Sequence, residues 1–268
     1  MLNILYVYMY KIKHSMGELR MIEAFIEDTN SATTTDEVYK LFLKALNNLG
    51  YDRTVYTYMT DQPDLNKEAE HGIVTNYPDE WMDRYFSLDY IKNDPTFKRA
   101  LVYNGPFSWE SLSKIREFTD IEKKIMDEAS EINLYSGVGV SIHGHFGNLS
   151  GLGIASSYQK TEPDLNTLRK LNALSRQFHL AFSDHNQDSK KEQQITLSAR
   201  EREILLWAAE GKSDPVIAEF LEIKHSTVRY HIQNIFKKLG VNERTMAVVK
   251  AIKMRLISPS YIGFPYKG

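Results

Sequence analysis

Ser226-Thr-Val-Arg-Tyr-His-Ile-Gln-Asn-Ile-Phe-Lys-Lys-Leu239 carries Val228, Ile232, Ile235, Phe236 and Leu239 at helical spacing, with Arg229, Tyr230, Gln233 and Lys237 along another side. A helix with this pattern buries one face and offers cations, amides and a phenol from the other. Pro215 to Leu221 precedes it as a second short helix across a tight link, the layout of a helix-turn-helix, so double-stranded DNA is the first candidate partner. In such a helix the residues near the N-terminus reach base edges and the later cations grip phosphate. Thr227, Arg229 and Tyr230 are therefore placed for bases or nearby phosphates, and Gln233, Asn234, Lys237 and Lys238 continue the contact surface or brace it. Arg229 is the best base reader, because its planar fork pairs with guanine O6 and N7. A solvated face on a small helical bundle is the plain alternative.

Outward from that helix, Ser198-x-x-Glu201 reads as a capping box, and Ile204, Leu205, Trp207 and Ala208 form a buried face that Gly211-Lys212 ends. Asp214 is expected as an N-cap with Pro215 at the first helical position. Residues 197–268 hold 12 Lys+Arg against 7 Asp+Glu, whereas residues 1–196 hold 21 against 28, within a net charge of −2. A basic module on an acidic body suits a protein that meets a polyanion at one end.

The 268 residues, 42% of them hydrophobic, suffice for about two domains with real cores. The absence of cysteine excludes disulfides, thiolate metal sites and cysteine nucleophiles, and fits a cytoplasmic location. Leu2 to Tyr10 is too short to span a bilayer and lacks the features of a signal peptide, so no membrane role is expected. Met16 and Met21 each precede better helical patterning, and residues 1–15 are read as an N-terminal extension.

Thr34-x-x-Glu37 predicts a capping box for a helix with Val38, Leu41, Phe42, Ala45 and Leu49 on one face. Tyr51 to Thr60 and His71 to Asn76 read as strands, and Pro78 to Ser87 as a helix. Residues 120–133 read as a second helix. Gly137 to His143 alternates Val138, Val140 and Ile142 with Gly139, Ser141 and His143, and Ser150 to Ser157 follows across a Gly-containing loop. Leu165 to Ser183 closes the region as an amphipathic helix, and Asp184 to Gln194 has no apolar residue at all. The resulting fold class is α+β: an N-terminal α/β/α sandwich with an antiparallel sheet over residues 16–183, a linker over 184–196, an all-α four-helix domain over 197–257, and a tail over 258–268. Such a sandwich can hold a small molecule between sheet and helices.

Leu197-Ser-Ala-Arg-Glu-Arg-Glu-Ile-Leu, Ala209-Glu-Gly-Lys, Ile217-Ala-Glu-Phe-Leu, Ser226 to Val241 and Arg244-Thr-Met-Ala-Val together resemble the DNA-binding domain of LuxR-type transcription regulators. Two positions depart from the family pattern: Glu222 stands where the turn usually has Gly, and Lys224 where the N-cap is often Ser. A cation at a helix N-terminus is unfavourable by some tenths of a kcal/mol, which close phosphates would offset, so Lys224 joins the expected DNA contacts. In the N-terminal half, Asn76-Tyr-Pro-Asp-Glu-Trp-Met-Asp-Arg-Tyr, Asn93-Asp-Pro-Thr-Phe, Gly105-Pro-Phe-Ser-Trp and Gly137-Val-Gly-Val-Ser-Ile-His-Gly resemble the autoinducer-binding domain of quorum-sensing LuxR-type receptors.

That resemblance implies an N-acyl-homoserine lactone as ligand, no cofactor, and DNA, a second copy of the chain in a homodimer, and RNA polymerase as partners. It also implies that Trp81 donates to the lactone carbonyl, Asp94 accepts from the amide N–H, Tyr77 donates to the amide carbonyl, Trp109 packs on the ring, and Tyr85 and Thr96 support the head group. The chain carries Gly153 where several family members place a Ser or Thr hydroxyl. Two alternatives stay open: a regulator responding to another small molecule or to none, and a lactone-degrading enzyme. Against the second, Gly139-Val-Ser-Ile-His143 half-matches a nucleophile elbow but lies on an alternating strand, and the His143/His145 pair has no third ligand in view. No catalytic or metal-binding residue is therefore expected. Gly144 to Gly151 lacks the Lys of a phosphate loop and is read as a hairpin connection.

Overall fold

The computed structural model describes residues 20–62, 67–144, 147–158, 160, 162–186, 195–254 and 256–258. Residues 1–15, most of the 184–196 stretch, His145 and all of the tail after Ser258 lie outside the described residues. The chain divides into two compact units, 1–187 and 188–268.

In the first unit, α1 (20–31) and α2 (Thr35–Asn47) are followed by β1 (Arg53–Tyr58) and β2 (Glu70–Thr75). Next come α3 (Asp79–Ser87), a 3-10 turn at Tyr90–Lys92, α4 (Pro95–Val102), β3 (Pro106–Ser108), α5 (Trp109–Ile115) and α6 (Asp120–Glu131). β4 (Tyr135–His143), β5 (Leu149–Ser156) and α7 (Leu165–His185) complete it. The sheet order is β2-β1-β5-β4-β3, with every neighbouring pair antiparallel.

Local chemistry sets the helix starts. Thr34 caps α2 by accepting from the Glu37 N–H, but the Glu37 carboxylate reaches back to Thr33 rather than to Thr34, so the box expected there is only half formed. Thr119 and Glu122 form a complete box on α6, and Asp164 caps α7. Pro78 sits at the N-cap of α3.

Alternation in the strands separates two cores. Tyr56 and Tyr58 of β1, Val138, Val140 and Ile142 of β4, and Leu152 and Ile154 of β5 pack against α1, α2 and α7. There the Phe42 and Phe178 rings stack at 4.5 Å. Such fully buried aromatic and aliphatic side chains are each worth about 1.5–3 kcal/mol. The opposite face shows Val55 of β1 and Ala155 of β5 to Trp81, Met82 and Tyr85 of α3 and to Ile125 and Ala129 of α6.

On the two central strands β4 and β5 that second face is floored largely by glycine: Gly137 and Gly139 of β4, Gly151 and Gly153 of β5. A Cβ at Gly137 would lie 1.8 Å from Trp109 Cδ2, and one at Gly139 2.3 Å from Phe107 Cζ. One at Gly153 would lie 2.9 Å from both the Tyr77 hydroxyl and Val55 Cγ1. The missing side chains are what let aromatic rings and an open space lie directly on the sheet.

The second unit comprises α8 (Ala199–Ala209), α9 (Asp214–Phe220), α10 (His225–Leu239) and α11 (Arg244–Lys253). Ile204, Leu205, Ile217, Val228, Ile232, Ile235 and Ala247 meet in its core. Ser198 and Glu201 form a complete capping box on α8. The expected cap of α9 is corrected by one residue: Ser213 is the N-cap, and Asp214 is already helical ahead of Pro215. The physical reason is that the Asp214 carboxylate is taken by Arg244 of α11 and cannot turn back to its own helix.

Among the described residues no helix is long and apolar enough to cross a membrane, and no group of three metal-ligating side chains gathers.

Candidate functional site

A cavity opens between the glycine-floored face of the sheet and helices α3 to α6, with about 680 Å³ of empty space counted out into its mouth. All six residues expected to hold a ligand line it: Tyr77, Trp81, Tyr85, Asp94, Thr96 and Trp109. Each is delivered by a helix start or a helix turn. Trp81 and Tyr85 are one turn apart on α3, with ring centroids 5.8 Å from each other. Tyr77 precedes that helix, and Trp109 is the first residue of α5 after the Ser108 cap.

Asp94 is the N-cap of α4, 9% exposed, and its Oδ1 accepts from the Thr96 N–H and hydroxyl, both at 2.7 Å. Its Oδ2 accepts from the Tyr85 hydroxyl at 2.8 Å. Three donors and the positive end of a helix hold this carboxylate in place, and Oδ2 keeps a lone pair for one more donor. Tyr85 and Thr96 thus act through Asp94.

Two donors in the same space have no partner. The Tyr77 hydroxyl and the Trp109 indole Nε1 are both buried without a hydrogen bond. A buried donor left unpaired costs about 1–3 kcal/mol, so two of them on residues that line one cavity, beside a spare carboxylate lone pair, describe a site organised for a ligand. Burial, then the Asp94 charge, raises the Tyr77 and Tyr85 pKa values well above 10, so both phenols stay protonated and can donate.

Val55 and Thr57 line the cavity from β1, Met59 from just beyond its end, and His71 from β2. Sequence reasoning did not assign them, although strict alternation with Tyr56 and Tyr58 was a usable signal for the first three.

In the second unit, Arg229, Gln233 and Lys237 are exposed on α10, Tyr230 is 62% exposed, and Thr227 and Asn234 are half-buried. The buried residues Val228, Ile232, Ile235 and Leu239 form the opposite stripe. Lys224 is the exposed N-cap and makes no side-chain cap, as expected of a lysine there. Lys238 instead turns inward: its Nζ binds the Glu201 carboxylate at 2.6 Å and the Thr196 carbonyl at 3.1 Å. That ion pair ties α10 to the start of α8, while the Lys238 side chain stays 41% exposed. Glu222 adopts φ 51°, the left-handed turn conformation in which glycine is free and a side chain is strained.

A ligand cavity with preset donors in one unit and a helix-turn-helix with an exposed basic face in the other define the class of ligand-responsive transcription regulators. The chain belongs to the LuxR family within it. Residues 34–182 match the family described as "Autoinducer binding domain", and residues 195–251 match "Bacterial regulatory proteins, luxR family". These are quorum-sensing, DNA-binding transcription regulators and not enzymes, which disposes of the lactone-degrading alternative.

Among named relatives, the transcriptional activator protein YukR of Yersinia ruckeri is 31% identical over 224 residues, covering 78% of this chain and 96% of its own. The putative HTH-type transcriptional regulator y4qH of Sinorhizobium fredii is 31% identical over 199 residues, 74% of this chain, and the match spans only 61% of that relative's length. The crystal structure of Escherichia coli SdiA has the same fold, with a TM-score of 0.69 at 23% identity over 89% of this chain and 98% of that one.

Proposed function

We propose that the chain binds an N-acyl-homoserine lactone in the cavity of residues 16–183 and, as a homodimer in the cytoplasm, reads a two-fold symmetric DNA site through residues 197–257. The observation that supports this reading most is the set of groups waiting in the cavity: two unpartnered buried donors, Tyr77 Oη and Trp109 Nε1, beside a fixed acceptor, Asp94 Oδ2. A lactone head joined to an amide offers two carbonyl acceptors, each with two lone pairs, and one N–H, which the Tyr77, Trp81 and Trp109 donors and the Asp94 acceptor can meet. Tyr77 serves the amide carbonyl, Asp94 the amide N–H, and Trp81 the lactone carbonyl. Trp109 covers the ring with its indole, and its unpartnered N–H is a further donor for a free lone pair of either carbonyl.

On DNA, Lys224, Thr227, Arg229, Tyr230, Gln233, Asn234 and Lys237 form the contact surface of α10, and Lys238 holds the helix to α8. One short recognition helix reads few bases, so two copies supply affinity and half-site spacing together. RNA polymerase is the partner through which a bound dimer would act.

A ligand that binds only the folded state raises its stability by mass action, about 2.7 kcal/mol at a hundredfold excess over Kd. Heat denaturation of the full chain should therefore shift upward with a cognate lactone. No shift with any lactone, from short to long acyl chains, would remove the ligand from this account while leaving the DNA-binding reading intact.

A further inference from the structure

Gly153 leaves the sheet floor without the hydroxyl that the amide end of a ligand could have met there, and the Tyr77 hydroxyl lies at the position its side chain would fill. Cavity polarity reappears on the neighbouring strands, where Thr57 of β1 faces His71 of β2. The Thr57 Oγ1 lies 2.9 Å from His71 Nδ1 and receives the Gly72 N–H at 3.5 Å. Among the described residues Nδ1 is the one acceptor within reach of the buried Thr57 hydroxyl, so the tautomer that satisfies that hydroxyl has Nδ1 accepting and Nε2 carrying the ring hydrogen. The ring is fixed as well as polarised: it stacks on Tyr85 at 5.0 Å and meets Phe86 and Phe97 edge-on. Among the described residues Nε2 has no protein partner, although His71 lines the cavity.

Position along the sheet places this donor beyond the head group. Thr57 is one same-face step from Val55, about 6–7 Å along the strand. Val55 is the residue that pairs with Gly153 next to the Tyr77 hydroxyl.

We propose that His71, oriented by Thr57, is a specificity-determining donor for an oxygen on the acyl portion of the ligand, so that the cavity selects an oxo- or hydroxy-substituted acyl chain over a plain one. The inference rests on the lactone reading above. One hydrogen bond of this kind is worth roughly 3- to 10-fold in affinity.

The test measures Kd for the full-length chain with homoserine lactones of one acyl length: unsubstituted, 3-oxo, 3-hydroxy and terminally hydroxylated. The wild-type chain should favour at least one oxygenated ligand by roughly 3- to 10-fold over the plain one. His71→Phe, which keeps the ring stack, should erase that preference while retaining the plain ligand, and His71→Gln, which restores an N–H, should recover part of it. If His71→Phe also weakens the plain ligand, Thr57→Val decides: freeing the ring tautomer should reduce the preference without removing the ring. An equal affinity of the wild-type chain for all four ligands overturns the inference, as does a preference that survives His71→Phe or Thr57→Val. Failure of every lactone to bind overturns the lactone reading and this inference with it.

Discussion

Gly137→Ala tests whether the Trp109 indole must lie flat on the sheet. The added Cβ would stand 1.8 Å from Cδ2, 1.9 Å from Cε3 and 2.3 Å from Cε2 of that ring. The indole would have to retreat by roughly 2 Å to regain van der Waals distance, and no rotation about a flexible terminus relieves three ring atoms at once. Overpacking of this kind costs about 1–3 kcal/mol, and a rigid ring against backbone belongs near the upper end. For a unit of this size, about 3 kcal/mol lowers the thermal midpoint by roughly 6–12 °C. The same displacement carries Nε1 away from the ligand, so lactone affinity should fall at least about tenfold. Calorimetry of the full chain with and without lactone reads both effects. A double-mutant cycle with Trp109→Ala isolates the cause: if the clash is with the indole, the double variant loses about 2 kcal/mol less than the sum of the single losses. A Gly137→Ala chain that melts and binds as the wild type, or additive losses in the cycle, would refute the reasoning.

Asp94→Asn should weaken lactone binding by about 1.5–3 kcal/mol in equilibrium titration, because the amide replaces a charged acceptor and can present an N–H where an acceptor is needed. Glu122 of α6 is 2% exposed and bound by Arg116, Lys98 and the Thr119 N–H, chiefly Arg116, and its pKa is held far below the usual 4.5. A carboxyl with a depressed folded-state pKa contributes stability that is fully present above about pH 5 and is lost as the pH falls through the acid range. Glu122→Gln should therefore cost about 2–3 kcal/mol at pH 7 and flatten the acid limb of the stability profile in urea titrations. Glu222→Gly relieves a left-handed backbone at about 1 kcal/mol, partly offset by the freedom glycine gains when unfolded, so the DNA-binding unit should melt a few degrees higher. Arg229→Ala should lower affinity in gel shifts and relax selectivity at one base pair by about 1–3 kcal/mol, whereas Lys238→Met should mainly destabilise the unit by stranding Glu201 and leave the salt dependence almost unchanged.

The strands and long helices were legible because their signals are local. Val138, Val140 and Ile142 alternate, and Thr34 and Ser198 cap the helices they precede. The cavity was legible only as far as its polar head, where Tyr77, Trp81, Asp94 and Trp109 stand in recognisable strings. Its remaining walls come from separate elements, β1, β2, α4 and α6 among them, and Thr57 and His71 meet only through the β1 and β2 pairing. The glycine floor was visible as four glycines, but its purpose depends on which rings the fold lays over them. Arg244 drawing Asp214 away from a capping role is likewise a tertiary effect with no trace in the local pattern. Lys238 shows the same limit, since a cation on a recognition helix carries no mark of facing a buried Glu201 instead of a phosphate.

The most direct measurement is mass spectrometry of the small molecule released from the folded full-length chain after expression in cells supplied with mixed acyl-homoserine lactones. One lactone per chain, lost from an Asp94→Asn or Tyr77→Phe variant that still folds, is the result expected. A folded chain that emerges empty from that mixture, or that carries a molecule without an amide-linked lactone, would contradict the account.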